Sequence, residues 1–452
     1  MITKNVRFPD EEDVMHRQSH SRPWALLRVL TIAAGTALFI LAPLGSASAY
    51  TEKALHSFCT EQTCGDGAGP QGSLLRDRSG NLYGTTVLGG KYGEGLVFKL
   101  VPNGDPYKEY ILHNFCAQAN CPDGGTPESG LIIDVDGNLY GTAAVGGKHG
   151  GGVVFKLTHG ANGWSYRVIK AFCSEANCAD GNWPTGLAYF GQAAGAPWDE
   201  FSPLFGTALG GGVNNEGVAY KLASDGSLWN YEVIHSFNAP DNYLSAYPGP
   251  PLVDSSGNLF GVTQLGGKYG SGVLYRLAAG TWKETTLHNF CAEANCADGS
   301  YAAGQLAMDA AGNLFGVTEA GGSTAYCKSS LGCGVAFERS PGGPYTVIYN
   351  FCSLYHCKDG GGPPAGMTMD AVGNLLGTTA GGGKPKEGTV FELSPGVTWT
   401  ERVLYNFCSE QNCTDGASTF APVIMDSDGN LYGTTYGGGA NGAGGTVFEL
   451  TP

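Results

Sequence analysis

Past residue 50 the chain has no apolar stripe of 3.6-residue period lasting three turns, so it holds no long amphipathic helix. It has little charge: Asp, Glu, Lys and Arg make up 14% of the 452 residues, where a soluble domain carries roughly 25%. It has no basic run and no exposed aromatic ladder. The balance is acidic, 25 Lys and Arg against 40 Asp and Glu, and that field repels phosphate, which excludes nucleic acid as a partner. No Gly-Lys-Ser/Thr of the Walker type follows any glycine-rich stretch, so "GGKYGEG" at 89–95 reads as a wide positive-φ loop rather than a phosphate cradle.

What the chain has in excess is glycine, 73 residues, with 23 prolines. Turns at that density leave room only for short strands, an all-β composition. The N-terminus differs in kind. Arg17, Arg22 and Arg28 precede an uncharged run from Val29 to Ala49 that ends in the small-x-small pattern "SASA". This is the pattern of a signal peptide over residues 1–49, followed by a mature domain over 50–452. A retained membrane anchor is the rival reading, since the run is long enough to span a bilayer. No cysteine sits at the cleavage point for lipid attachment, and initiation at Met15 would give a signal of more ordinary length. Removal of the segment leaves 20 basic against 36 acidic side chains.

The mature chain repeats itself. "GNLYGT" at 80 returns at 137 and 429, as "GNLFGV" at 257 and 312, as "GNLLGT" at 373, and as a degenerate "SPLFGT" at 202. Seven copies at spacings of 55 to 65 residues divide it into seven units. Each unit holds four short apolar runs between turn signals, here called a, b, c and d; in the second unit they begin at Gly130, Asn138, Gly152 and Ser165. The Asp-x-x-Gly-Asn between a and b is a tight hairpin turn. Seven four-stranded antiparallel units predict a seven-bladed β-propeller. The mature chain opens on a d run, "ALHSF" at 54–58, and closes on a c run, "GTVFELTP" at 445–452, so the N-terminal strand is expected to complete the last blade. An elongated solenoid would have no use for that circular arrangement.

The D-x-x-G-N-L-Y-x-G-T core, matched seven times over residues 54–452, resembles the GloVer tandem repeat of exported bacterial choice-of-anchor proteins. It is also similar to the propeller repeats of two-component sensor ectodomains. The resemblance implies an exported bacterial repeat protein. Family members often carry an anchoring tail after the repeats, whereas this chain ends at Pro452 directly after strand c, so anchoring by such a tail is not expected.

The 14 cysteines fall into close pairs: Cys59 with Cys64, Cys116 with Cys121, Cys173 with Cys178, Cys291 with Cys296, Cys352 with Cys357, Cys408 with Cys413, and Cys327 with Cys333. An even count in an exported chain points to disulfides. The unit that lost one cysteine, "SFNAPDNYLSAYP" from Ser236, lost its partner too. Zinc would need a regular third ligand, and the His of "LHNFC" (His56, His113, His288) becomes Lys170, Tyr349 or Tyr405 elsewhere. Redox pairs more usually space their cysteines by two. Calcium loops need a second Asp, present only at 134–138 and 426–430, and a bidentate acid that never follows. No metal and no cofactor is therefore expected, and no catalytic residue is assigned.

The d-to-a and b-to-c connections of a propeller share one face, which gathers the Asp of each C-x-D-G, expected chiefly to shape its turn, and the Lys and aromatic residues of the b-to-c loops. The charged c-strand positions Lys99, Lys156, Lys221, Arg276, Glu338, Glu392 and Glu449 read as solvated outer sites. A single ligand is best sought where the sevenfold symmetry breaks. The unstapled loop offers Asp241, Asn242, Tyr243 and Tyr247, beside Asn214, Asn215 and Glu216 of one unit and Lys268 and Tyr269 of the next. Amides, carboxylates and rings together suit a sugar or extended peptide. The insertion 192–202 and the Cys327–Cys333 loop are further departures. The expected function is an exported module, secreted, periplasmic or on the cell surface, that binds a glycan, an envelope component or a protein. A monomer is expected, with no membrane contact after signal cleavage. The alternative is a propeller-fold glycan lyase or hydrolase, which needs two carboxylates or a His/Tyr pair converging on the axis; no sequence-unique acid pair stands out.

Overall fold

Seven four-stranded antiparallel sheets follow one another along the chain, each with its strands in the order a-b-c-d. The structure is a computed structural model and describes residues 50–452 apart from 62, 105, 162, 193–194, 227, 239–247, 323–325 and 443. The segment read as a signal peptide lies outside the described residues. Blade I comprises Leu75–Arg76, Leu82–Thr86, Leu96–Val101 and Lys108–Asn114. Blades II to VI repeat it, and blade VII takes its outermost strand from the other end of the chain. Thr51–Ser57 pairs antiparallel with Thr446–Thr451, Thr51 facing Thr451 and Ser57 facing Thr446. The fold is a seven-bladed β-propeller closed by its N-terminal strand.

The repeat motif explains how the blades pack. Strand b is buried along its whole length in blades I, II, VI and VII, because a blade is covered on both faces by its neighbours. Its central glycine faces the aromatic of strand c across the ladder, Gly84 opposite Phe98 and Gly141 opposite Phe155. A Cβ at Gly84 would stand 2.5 Å from the Phe98 ring, so the motif needs glycine for this close approach. That ring then meets the Phe that ends strand d of the preceding blade, Phe58 on Phe98 at 5.2 Å and Phe115 on Phe155 at 5.4 Å. The hydrophobic core is accordingly divided into seven clusters, one at each blade junction. The motif threonine adds a polar latch: the Thr85, Thr207 and Thr378 hydroxyls donate to the carbonyls of Ser129, Gly249 and Ala421 on the next blade's innermost segment.

The a-to-b turns are local in their chemistry. In the first, one oxygen of Asp77 accepts the N–H groups of Ser79 and Asn81, and the other accepts the Asn81 amide and the Tyr83 hydroxyl. Asp134 and Asp426 are used in the same way. Turn chemistry therefore consumes the carboxylates that resemble half a calcium loop. The c-strand charges are not the solvated outer sites expected of them. They are half-buried, and three of them lie beside the a-to-b turn: Lys99 stands 5.3 Å from the Tyr83 ring and Lys156 5.0 Å from Tyr140, while Glu449 accepts from the Tyr432 hydroxyl at 2.8 Å. In blades I, II and VII the antiparallel register sets the charge opposite a tyrosine, and cross-strand pairing draws it in; Lys221, Arg276, Glu338 and Glu392 face Phe205, Phe260, Phe315 and Leu376 instead.

Candidate functional site

The cysteine loops form one end of the ring. All seven predicted pairs are joined as disulfides, and no free cysteine remains among the described residues. In the six C-x4-C loops both cysteines adopt positive φ, for example 64° at Cys116 and 45° at Cys121. Left-handed backbone is costly for such residues, so the covalent link and the hydrogen bonds hold a turn that the sequence alone would not favour. The b-to-c loop of the same blade docks on each staple, Gly147 N–H to Cys121 O and Gly212 N–H to Cys178 O, which places both loop types on one face.

The Asp of each C-x-D-G does not look outward from that face. Asp180, Asp298, Asp359 and Asp415 are buried beneath their loops. Asp180 accepts from the Ser174 N–H and hydroxyl, the Glu175 N–H and the Lys170 ammonium. Burial alone would raise its pKa, but these donors outweigh it and hold the carboxyl below the usual range. A β-bulge in every d strand turns the residue that caps the Asp toward it: His113 in blade I, Lys170 in II, Tyr349 in V and Tyr405 in VI. These residues are loop anchors.

Of the residues assigned to the symmetry-breaking site, Asp241, Asn242, Tyr243 and Tyr247 lie outside the described residues. Asn214 and Asn215 are exposed on the b-to-c loop of blade III, where the Asn215 side chain accepts the Gly211 N–H and shapes its own turn. Glu216 stands half-buried beside them. On blade IV, Lys268 and Tyr269 are exposed and paired, ammonium to ring centroid 5.1 Å. All five sit on the cysteine-loop face.

A large cavity runs along the axis, about 1140 Å³ in volume and lined by innermost segments of all seven blades. It extends to the opposite, hairpin face, where its walls include the a-to-b turns at 77–79 and 134–137. Its two sides differ. Met308, Met367, Met369 and Met425, the four methionines of the described residues, line it on blades V to VII with Phe420. Gln71, Arg76 and Glu128 line it on blades I and II. Solvent reaches Glu128, yet the surrounding walls push its carboxyl above the ordinary range. His159 and Trp164, on the c-to-d hairpin of blade II, and Tyr189 stand at the mouth.

The insertion in blade III builds one wall of this mouth. Strand a of that blade ends at Ala188 and strand b begins at Leu204, and the connection crosses onto blade II. Trp198 pairs its backbone with Ile133 and Val135. Its ring, 1% exposed, packs 5.0 Å from Tyr140 and 6.0 Å from Trp229. Glu200 reaches Asn138, Tyr140 and Lys156 at 3.3, 3.5 and 3.5 Å. A hydrogen bond to Asp134 raises Glu200 above the usual range, while Asp134, which burial alone would raise, is held below it by hydrogen bonds from Glu200, Asn138 and Tyr140. Through these contacts Glu200 acts as a latch for the insertion. The insertion is visible in the sequence but not its landing place, because Ile133, Val135, Asn138, Tyr140 and Lys156 all belong to blade II.

Seven disulfides place the chain in an oxidising, extracytoplasmic setting. Among curated protein sequences, none matches the chain. Solved structures similar to it include the extracellular domain of a protein described as a hybrid two-component system from B. thetaiotaomicron, 11% identical, TM-score 0.49, matching 84% of this chain and 38% of that one. A protein described as a 6-phosphogluconolactonase from Bacteroides uniformis is 12% identical, TM-score 0.43, over 73% of this chain and 83% of its own. A puromycin-hydrolysing peptidase of Mycobacterium tuberculosis is 11% identical, TM-score 0.43, over 83% and 53%. The chain thus spans well under half of the two-component protein it matches. The sequence profile of the Gloeobacter/Verrucomicrobia repeat matches residues 37–196, 196–353 and 323–452, and the chain belongs to that repeat family.

Proposed function

We propose that the chain is an exported binding module, secreted, periplasmic or at the cell surface, that takes a glycan into its central cavity from the hairpin face. The observation that carries this reading is the cavity's asymmetry: one flank offers Trp164 and Tyr189 for stacking beside Gln71 and Glu128 for hydrogen bonding, and the insertion supplies a wall that no other blade has. Rings beside amides and carboxylates are the surface a sugar requires, and the volume exceeds the needs of most small cofactors. The competing reading is the site proposed from the sequence, Asp241, Asn242, Tyr243 and Tyr247 with Asn214, Asn215, Glu216, Lys268 and Tyr269, of which the last five are described and sit on the cysteine-loop face.

A glycan array on the mature chain tests the reading, followed by affinity measurements on two double variants. Trp164→Ala with Glu128→Gln is expected to weaken the best glycan more than tenfold, and Tyr243→Ala with Tyr247→Ala to leave it unchanged. The reverse outcome moves the site to the cysteine-loop face. A mature chain that retains no glycan sinks the reading.

A further inference from the structure

At the junctions that carry a C-x4-C loop, a side chain from one outermost strand faces the stapled loop that leaves the preceding blade. At the I–II and IV–V junctions it is a tyrosine. Tyr166 stacks on His113 at 3.8 Å and Tyr345 on His288 at 3.7 Å. In both, the imidazole Nε2 is hydrogen-bonded to the loop aspartate, Asp123 at 3.1 Å and Asp298 at 2.8 Å.

The junction of blade VII with blade I keeps the histidine and the aspartate, His56 and Asp66, but has Glu109 where those two have tyrosine. The contact then reorganises. One ligand atom from each of the three side chains lies within 4.8 Å of the other two, and His56 Nε2 stands 3.8 Å from Glu109, beyond hydrogen-bond reach. His56 Nε2, Asp66 Oδ1 and Glu109 Oε1 are each buried without a hydrogen-bond partner, and His56 is only 9% exposed. The other oxygen of Asp66 is held by the Thr60 N–H at 3.0 Å and hydroxyl at 2.8 Å, which fixes the carboxylate's orientation. Three buried polar atoms without partners in one cluster are costly unless a cation satisfies them. Among the described residues no other junction brings these three types together: Tyr349 and Tyr405 replace the histidine at two, Lys170 at a third, and the fourth pairs His235 directly with Glu284 at 2.9 Å.

We propose that His56, Asp66 and Glu109 bind one divalent first-row transition-metal ion of the zinc type, with water completing its coordination. One imidazole and two carboxylates suit such an ion, whereas calcium and magnesium prefer oxygen alone. His56 lies on the N-terminal strand that completes blade VII and Glu109 on the outermost strand of blade I. The ion therefore clasps the seam where the ring is closed by strand pairing.

The test uses the exported chain with its disulfides formed, no histidine tag, stripped with EDTA and titrated with Zn²⁺ or Co²⁺ alone. Calorimetry is expected to give one Zn²⁺ per chain and melting to give a higher Tm with Zn²⁺. Co²⁺ is expected to show d–d bands without thiolate charge transfer. Glu109→Tyr rebuilds the junction that blades I and II already use, so it is expected to fold, and to lose at least 100-fold in affinity together with the Tm gain; His56→Gln is expected to do the same. Absence of stoichiometric Zn²⁺ uptake by the wild type overturns the proposal whatever the variants do. So does a thiolate band, preferential Ca²⁺ binding, or a folded Glu109→Tyr chain that still binds.

Discussion

Glu401 sits on the outermost strand of blade VI, facing the Asp359 loop that leaves blade V. Its Oε1 is buried and has no hydrogen-bond partner. Burial, and then the charge of Asp359, pushes its carboxyl from the ordinary 4.5 up to about 8. Between those values the folded chain keeps a proton that the unfolded chain has released. The stability this confers is fully present below about pH 4.5 and is lost as pH rises through about 8. In mid-window the loss approaches ~1.4 kcal/mol per pH unit. Solvent still reaches part of the side chain, which reduces the span to on the order of 2–3 kcal/mol. Glu401→Gln keeps the shape and cannot ionise. Urea unfolding from pH 4.5 to 8.5 is expected to show the variant matching wild type in acid and exceeding it by about 2 kcal/mol at the alkaline end. A difference between the two that does not vary with pH would refute the reasoning. Glu52, pushed up to about 8 by burial, then Asp415 and Glu410, lies at a different junction; its glutamine variant is expected to add to the first.

Replacing Cys116 and Cys121 together by alanine removes a constraint worth about 2 kcal/mol for so short a loop, to be read from the urea midpoint, and an unchanged midpoint would mean that the hydrogen bonds to Asp123 hold the loop alone. Trp198→Ala empties the buried anchor of the insertion at a cost of about 3–5 kcal/mol to its docking. Limited proteolysis is expected to cut the variant within 190–202 while the blades stay intact, and resistance equal to wild type would contradict the latch.

The seven copies of the motif, their turns and their cysteine pairs were legible because each is written within a few neighbouring residues. The roles of the motif's own atoms were not. Nothing near Gly84 says that a ring from the next strand lies on it, and the carbonyl that takes the Thr85 hydroxyl is 44 residues away on another blade. The c-strand charges read as solvated because alternation along one strand does not reveal the tyrosine opposite. The cysteine-loop aspartates shape their turns as expected, but the donors they hold, chiefly N–H groups of a left-handed turn, are invisible in residue types.

By itself, then, the sequence determined the number of blades, the order of strands within each, the pairing of the cysteines and the closure of the ring by the first strand. All of these follow from a period of one blade and from short-range turn chemistry, which any copy of the repeat carries whole. The tertiary structure alone decided which side chains meet between blades: the axial cavity with its methionine flank, the landing of the insertion on blade II, and the meeting of His56, Asp66 and Glu109 at the seam. Those contacts join parts of different repeats, and only packing the blades into a ring brings them together.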